Sequence, residues 1–331
     1  MSFKATLARH PGYTVLITCG VFATLLFLAR GPAYTTTVNA LAPSKYARSL
    51  AQTLNEEELR YQKVLHDREA LVRKWGPTAD LVQAFPPRDD FYTLWDFFIP
   101  AFQCPHHVER VGTMGDGGKW VCGLERIARQ KECVIYSFGI NGESSFEAEL
   151  LQRAPGCQVW GYDFSVKSFG PEIERNTSLR ERAHFYPWAL GPSNNHGPGS
   201  NPPVYTLPTL MDINGHNFID ILKVDIEGAE FASLDKFLEF FGMGHPHSPA
   251  GPALPIGQMQ IEIHARGGTG HDEFAPFKKW WERLEAAGLR PFWAEPNLVY
   301  VNLVRGVRPD LAEYSFMNAR GRHALVSEDF H

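Results

Sequence analysis

The chain has no basic surplus. Its 331 residues carry 32 Lys and Arg against 37 Asp and Glu, a formal net charge of -5. That balance offers no general positive field for nucleic acid. It has no CxxC pair: the five cysteines stand singly at 19, 104, 122, 133 and 157, without the paired-ligand spacing of a structural zinc site. It has no GxGxxG run, so a dinucleotide fingerprint is unsupported. It has no internal repeat, which excludes solenoid and propeller architectures.

Charge is also missing locally. Residues 13–29 (YTVLITCGVFATLLFLA) contain no charged side chain. As a helix they would span about 26 Å, close to the ~30 Å hydrocarbon core of a bilayer. Lys4 and Arg9 precede them and Arg30 follows. The expected reading is an uncleaved signal-anchor, with residues 1–12 as a short cytosolic tail and the rest in the lumen of the secretory pathway, Golgi or ER. A cleaved signal peptide and a buried helix are the rivals. In a lumenal setting the Asn176 sequon (NTS) is usable for glycosylation. Disulfides are then permitted too, but four cysteines outside the span allow three pairings and the sequence does not choose.

Residues 30–84 read as a linker followed by a stem helix. From 45 to 75 there is no Gly or Pro, and Leu50, Leu54, Tyr61, Leu65, Val72 and Trp75 recur on one face. That face suits self-association or packing onto the domain. Residues 85–331 then alternate strand and helix: strands at 133–138, 157–164, 183–192, 219–228 and 259–264, helices at 144–154, 206–216, 231–241 and 276–288. Segments 290–297 and 298–304 read as a closing hairpin. Such alternation predicts a parallel sheet covered by helices on both faces.

In that architecture ligands bind beyond the carboxyl ends of the strands. Gly139 and Gly142, flanking Asn141, form a turn where glycine lets backbone approach a ligand. Asp163 closes the next strand, where a carboxylate can accept from a ribose diol. Asp225 ends the fourth strand, in ILKVDIEGAEF. Glu262 and His264 lie two apart on one face of the fifth. Lys119, in GDGGKW, either meets a cofactor carboxylate from a covering loop or simply follows a β-turn. Glu227 and Glu230 read as a loop residue and a helix opener. Trp120, Trp188 and Trp293 read as core.

These runs carry a resemblance. The Gly139 turn, Asp163, LKVDIEGAE and QIEIH resemble the FkbM-like class I methyltransferases. VGTMGDGGKWVCG, IYSFGINGESSFEAEL and the EPN at 295–297 are similar to the methyltransferase-like 24 branch of that group. The resemblance implies a Rossmann-like, doubly wound, mostly parallel seven-stranded sheet with an antiparallel last strand. It implies S-adenosylmethionine as cofactor, contacted by Gly139, Asn141, Gly142, Asp163 and Lys119, and methyl transfer to a hydroxyl-bearing acceptor. Asp225, Glu262 and His264 are the catalytic candidates. The same carboxylate, carboxylate and imidazole set also suits a divalent metal; a direct base is the preferred reading. An NAD-dependent oxidoreductase and a non-catalytic anchored binding protein are the alternatives.

Overall fold

The computed structural model describes residues 48–87, 90–242, 253–303, 306 and 308–330. The expected anchor at 13–29 lies outside them. Among the described residues no helix is long and apolar enough to cross a membrane.

The chain runs α1 (Leu50–Trp75), β1 (Val108–Val111), β2 (Lys119–Cys122), α2 (Leu124–Ile127), β3 (Cys133–Phe138), α3 (Ser145–Arg153), β4 (Cys157–Tyr162), α4 (Pro171–Glu174), α5 (Thr177–Arg180) and β5 (Ala183–Tyr186). It continues with β6 (Ala189–Leu190), β7 (Val204–Tyr205), α6 (Leu207–Asn214), β8 (Ile219–Val224), α7 (Glu230–Phe240), β9 (Ile256–His264), α8 (Phe274–Ala286), β10 (Leu289–Pro296), α9 (Leu298–Leu303) and β11 (Leu311–Asn318). Seven strands make the main sheet, in the order β10-β11-β9-β8-β3-β4-β5. β11 pairs antiparallel with both neighbours, while β9, β8, β3, β4 and β5 are mutually parallel. The parallel sheet read from the alternation is therefore present, and so are the seven strands and the antiparallel last strand that the resemblance implies.

That last strand is not where the alternation put it. Residues 298–303 form α9, and β11 comes later, at 311–318. The apolar run LVYVNL suits either state on composition, and Asn297 decides it. Its Oδ1 accepts from the Tyr300 amide at 2.9 Å, a helix-starting contact.

Strand β9 explains a composition odd for a central strand. Met259, Ile261 and Ile263 face one side and join the apolar cluster that includes Trp280 and Trp281 of α8. Gln258, Gln260, Glu262 and His264 face the other side, where Gln258 and Gln260 lie under the β1–β2 hairpin. There the Gln258 amide bonds both the N–H and the C=O of Cys122, each at 3.0 Å, and Gln260 donates to the Trp120 carbonyl at 3.0 Å. Buried glutamines are tolerated because they serve as hydrogen-bond partners for the backbone lying over them.

The stem helix packs on the domain. Arg68 of α1 makes two hydrogen bonds to Glu285 of α8, at 2.7 and 2.8 Å, and a third to the Phe97 carbonyl at 2.8 Å. Tyr61 donates to the same Glu285, and Arg290 forks onto Glu58 with both bonds at 2.8 Å. The face expected to offer self-association is taken up by this contact, because Tyr61 and Val72 are buried against the domain. The four cysteines pair as Cys104–Cys122 and Cys133–Cys157.

Candidate functional site

Two loops at the carboxyl rim of the sheet build the site. β3 ends at Phe138, and Gly139 turns at φ +82°. A Cβ at this position would run into the carbonyl oxygen of Asp225. Glycine is therefore required for the β3 and β8 ends to touch. Asn141 follows in the left-handed region at φ +47°. Asp163 holds this turn. Its Oδ2 accepts from the amides of Ile140 and Asn141 at 2.9 and 2.8 Å, and its Oδ1 accepts from the Ser165 amide and hydroxyl, both at 2.7 Å. Four donors fill the acceptor capacity of a carboxylate. Burial pushes its pKa up, yet these bonds outweigh it and hold Asp163 below the usual aspartate value. Asp163 thus organises the turn, and a ribose hydroxyl reaching it competes with Ser165.

Lys223 supports the same turn from below. It sits inside β8 and donates to the Gly139 carbonyl at 2.5 Å, 3.6 Å from the Glu147 carboxylate. A lysine within an apolar strand was the available sequence signal, since a buried ammonium needs partners. Gly139, Asn141 and Asp163 then line a cavity of about 260 Å³ with Phe164, Trp188, Leu190 and Asp225. Trp188, read as core, is half-buried there. Gly142 does not line this cavity and Lys119 does not reach it. Instead Lys119 is buried in β2, on Glu313 and the Asp116 carbonyl. Burial opposes its charge, but Glu313 and then Asp225 raise its pKa. The cofactor-carboxylate role expected of Lys119 is replaced by balancing a carboxylate cluster, and the β-turn reading of GDGGKW stands.

That cluster comes from three adjacent strands. Asp225 follows β8, Glu262 and His264 end β9, and Glu313 of β11 is the direct partner of Glu262 in register. The ligand atoms of Asp225, Glu262 and His264 lie within 4.8 Å of one another, so the three expected catalytic residues do converge. Burial, then Asp225 and Glu313, pushes Glu262 up to about 7, against a hydrogen bond from Asn297 Nδ2 at 2.7 Å. Asn297 is the Asn of EPN, and its role could not be read before the fold placed it here.

His264 is 1 % exposed. Its backbone amide and its Nδ1 both meet Oε1 of the buried Glu230, at 2.8 and 3.2 Å. Nε2 lies 3.5 Å from a Glu227 oxygen. Burial works against the imidazolium, but Glu230, and then Glu262 and Asp225, raise the pKa of His264. Glu230 does open α7, as read, and it also orients the histidine. Its second oxygen accepts from the Gly228 amide at 2.8 Å, which ties down the EGAE loop. In that loop Glu227 takes φ +58°. A non-glycine residue there costs on the order of 1 kcal/mol, the kind of strain found at functional loops.

With this geometry in hand, the comparisons can be weighed. Residues 86–305 match the family model described as a methyltransferase domain. The probable methyltransferase-like protein 24 of Rattus norvegicus is 26% identical over 146 residues, 43% of this chain and 36% of that protein. Its Homo sapiens counterpart is 29% identical over 147 residues, 43% of this chain and 35% of that protein. The matched stretch thus spans about a third of these curated relatives. A Methanococcus jannaschii fibrillarin pre-rRNA processing protein superposes loosely, at TM-score 0.33 and 14% identity, covering 62% of this chain and 72% of that one. The family model spans more than half of the chain, in the segment that carries both rim loops with Asp225, Glu262 and His264, and the chain belongs to the methyltransferase domain family.

Proposed function

We propose that this protein is an S-adenosylmethionine-dependent methyltransferase acting on a hydroxyl oxygen, anchored to a membrane of the secretory pathway with its domain in the lumen. The observation that carries the reading is the meeting of Asp225, Glu262 and His264 beside the cavity built on the Gly139 turn. The residues present suit the cofactor. The turn places Gly139 and Asn141 on the cavity because Gly139 lacks a Cβ that would strike the Asp225 carbonyl, and Phe164, Trp188 and Leu190 give the apolar wall an adenine ring needs. When bound, S-adenosylmethionine supplies an activated methyl group on its own leaving group.

The protein's share is then alignment and proton removal. Nδ1–H of His264 donates to Glu230, an assignment made from its partner. Nε2, 3.5 Å from a Glu227 oxygen, is left able to accept the hydroxyl proton. Asp225 orients the hydroxyl and stabilises the resulting imidazolium. A divalent metal on Asp225, Glu262 and His264 is the second reading, favoured by the closeness of their ligand atoms.

Calorimetric titration of the full chain with S-adenosylmethionine and with NAD tests the cofactor: binding of the first and not the second is expected. In Asp163→Asn one side-chain atom can no longer accept, so the turn or Ser165 loses its anchor. S-adenosylmethionine binding should weaken about ten-fold or more, and unchanged affinity in the folded variant removes Asp163 from the site. Asp225→Asn should keep cofactor affinity and lower turnover by about 10²–10⁴-fold. Turnover at the wild-type rate defeats the mechanism. Loss of activity with EDTA, restored by a divalent ion, selects the metal reading.

A further inference from the structure

A second cavity, of about 620 Å³, lies beside the carboxylate cluster. Its inner end is shared with the site. Glu313 lines it and pairs in register with Glu262, and Asn297 lines it and bonds Glu262 directly. Its wall is apolar. Trp120 and Trp293 stack with ring centres 3.8 Å apart and planes 25° from parallel. On its rim Met114, Leu298 and Val299 are 94, 70 and 54 % exposed. Large apolar groups gathered in one groove mark a binding surface more often than ordinary solvent-facing surface.

The charges in the groove restrict what fits. Arg110 is engaged by the carbonyls of Thr113, Gly115 and Gly118 and lies 3.8 Å from Glu295. Lys119, just inside, is held by Glu313. The Trp120 indole N–H donates to Glu295 at 2.8 Å. Both cations are thus engaged within the protein, and Asp116, Glu295 and Glu313 leave the groove one carboxylate in excess of Arg110 and Lys119. Among the described residues the two cations are already engaged, so an anionic acceptor would have to displace a partner to find a counter-charge. A sugar would set several hydroxyls against Met114, Leu298 and Val299, which offer them no hydrogen-bond partner.

We infer that this groove is the acceptor site and that it takes an uncharged hydroxyl on an apolar body. The body lies against Trp120 and Trp293, and the hydroxyl points past Glu313 toward Asp225 and His264. The inference rests on the methyl-transfer reading of the carboxylate cluster, but its binding half is testable without turnover. In calorimetric titrations of the full chain, 2-naphthol should bind, and 2-naphthol-6-sulfonate and methyl α-glucoside should bind at least about ten-fold more weakly. 1-Nonanol serves as an aliphatic arm. Binding tighter than 2-naphthol assigns an aliphatic body, and weaker binding an aromatic one.

Trp293→Ala should weaken 2-naphthol about ten-fold or more. Leu298→Asp, on an exposed side chain that leaves the core intact, should do the same, with S-adenosylmethionine affinity unchanged in both. Equal affinity for the glucoside or the sulfonate overturns the inference, as does 2-naphthol binding that neither variant alters. 2-Naphthol bound as expected, with no labelled methyl transferred to any bound alcohol, leaves the groove standing and counts against the methyl-transfer reading instead.

Discussion

A buried carboxylate beside a buried imidazole fixes where a proton sits. Glu230 holds the Nδ1 side of His264, so the chemistry falls to Nε2. Glu262, Asp225, Glu227 and Asp310 also face this ring from β9, the β8 end, the EGAE loop and the approach to β11. Because His264 is raised above the ordinary histidine value, it is protonated at mildly acidic pH and cannot accept a proton there. Activity should therefore rise with pH through a midpoint above 6.5. Glu230→Gln removes the main charge holding that proton. The acid limb should then move to lower pH while kcat falls, which a merely structural residue would not produce. Glu262, near 7, titrates in the same range, so the profile is best read in a Glu262→Gln background. An acid limb unmoved by Glu230→Gln would separate Glu230 from the base. Of these residues, Asp225, Glu262 and His264 were legible from strand ends and two-residue spacing. The histidine role of Glu230 was not, because it depends on α7 packing across β9 from 34 residues away.

At the scale of elements, periodicity reveals each strand's faces but not what covers them. The alternation in QMQIEIH was readable; that its two glutamines lie under the β1–β2 hairpin was not. The run at 298–303 failed as a strand because one side chain, Asn297, started a helix. Strand β11 passed unread, buried along nearly its whole length, with Glu313 and Ser315 interrupting its apolar run. The stem helix shows the same limit: an apolar face predicts that something covers it, and the ion pair shows that the covering surface is α8. Arg68 and Glu285 are both nearly sealed from solvent, so removing one partner strands a charge. Arg68→Ala should cost about 3–5 kcal/mol in urea unfolding. The double variant Arg68→Met, Glu285→Leu should cost less than the single one, since no buried charge is left unpaired. Equal losses would place the cost in Arg68's own contacts with the Phe97 carbonyl and the Phe98 ring and not in a stranded Glu285 charge.

For the whole molecule, the lumenal compartment is a proposal that rests on the paired cysteines together with the uncharged span at 13–29. Cys133 and Cys157 are register partners at the starts of β3 and β4, with Cα atoms 4.4 Å apart, and Cys104 and Cys122 lie 6.0 Å apart. The first pair ties two strands at the end of the sheet opposite the Gly139 turn and Asp163, so it can stabilise the rim's scaffold without touching its chemistry. Such bridges persist in oxidising compartments and contribute typically about 2–4 kcal/mol. Only Cys19 lies within the uncharged span. If the domain is lumenal, protease added to intact microsomes should leave it protected. Maleimide applied to the denatured, unreduced chain should then label Cys19 alone, and reductant should expose four more thiols. Complete digestion by the protease, or five free thiols before reduction, would put the domain in the cytosol. The bridges would then be open there, and the Asn176 sequon would be out of reach of glycosylation.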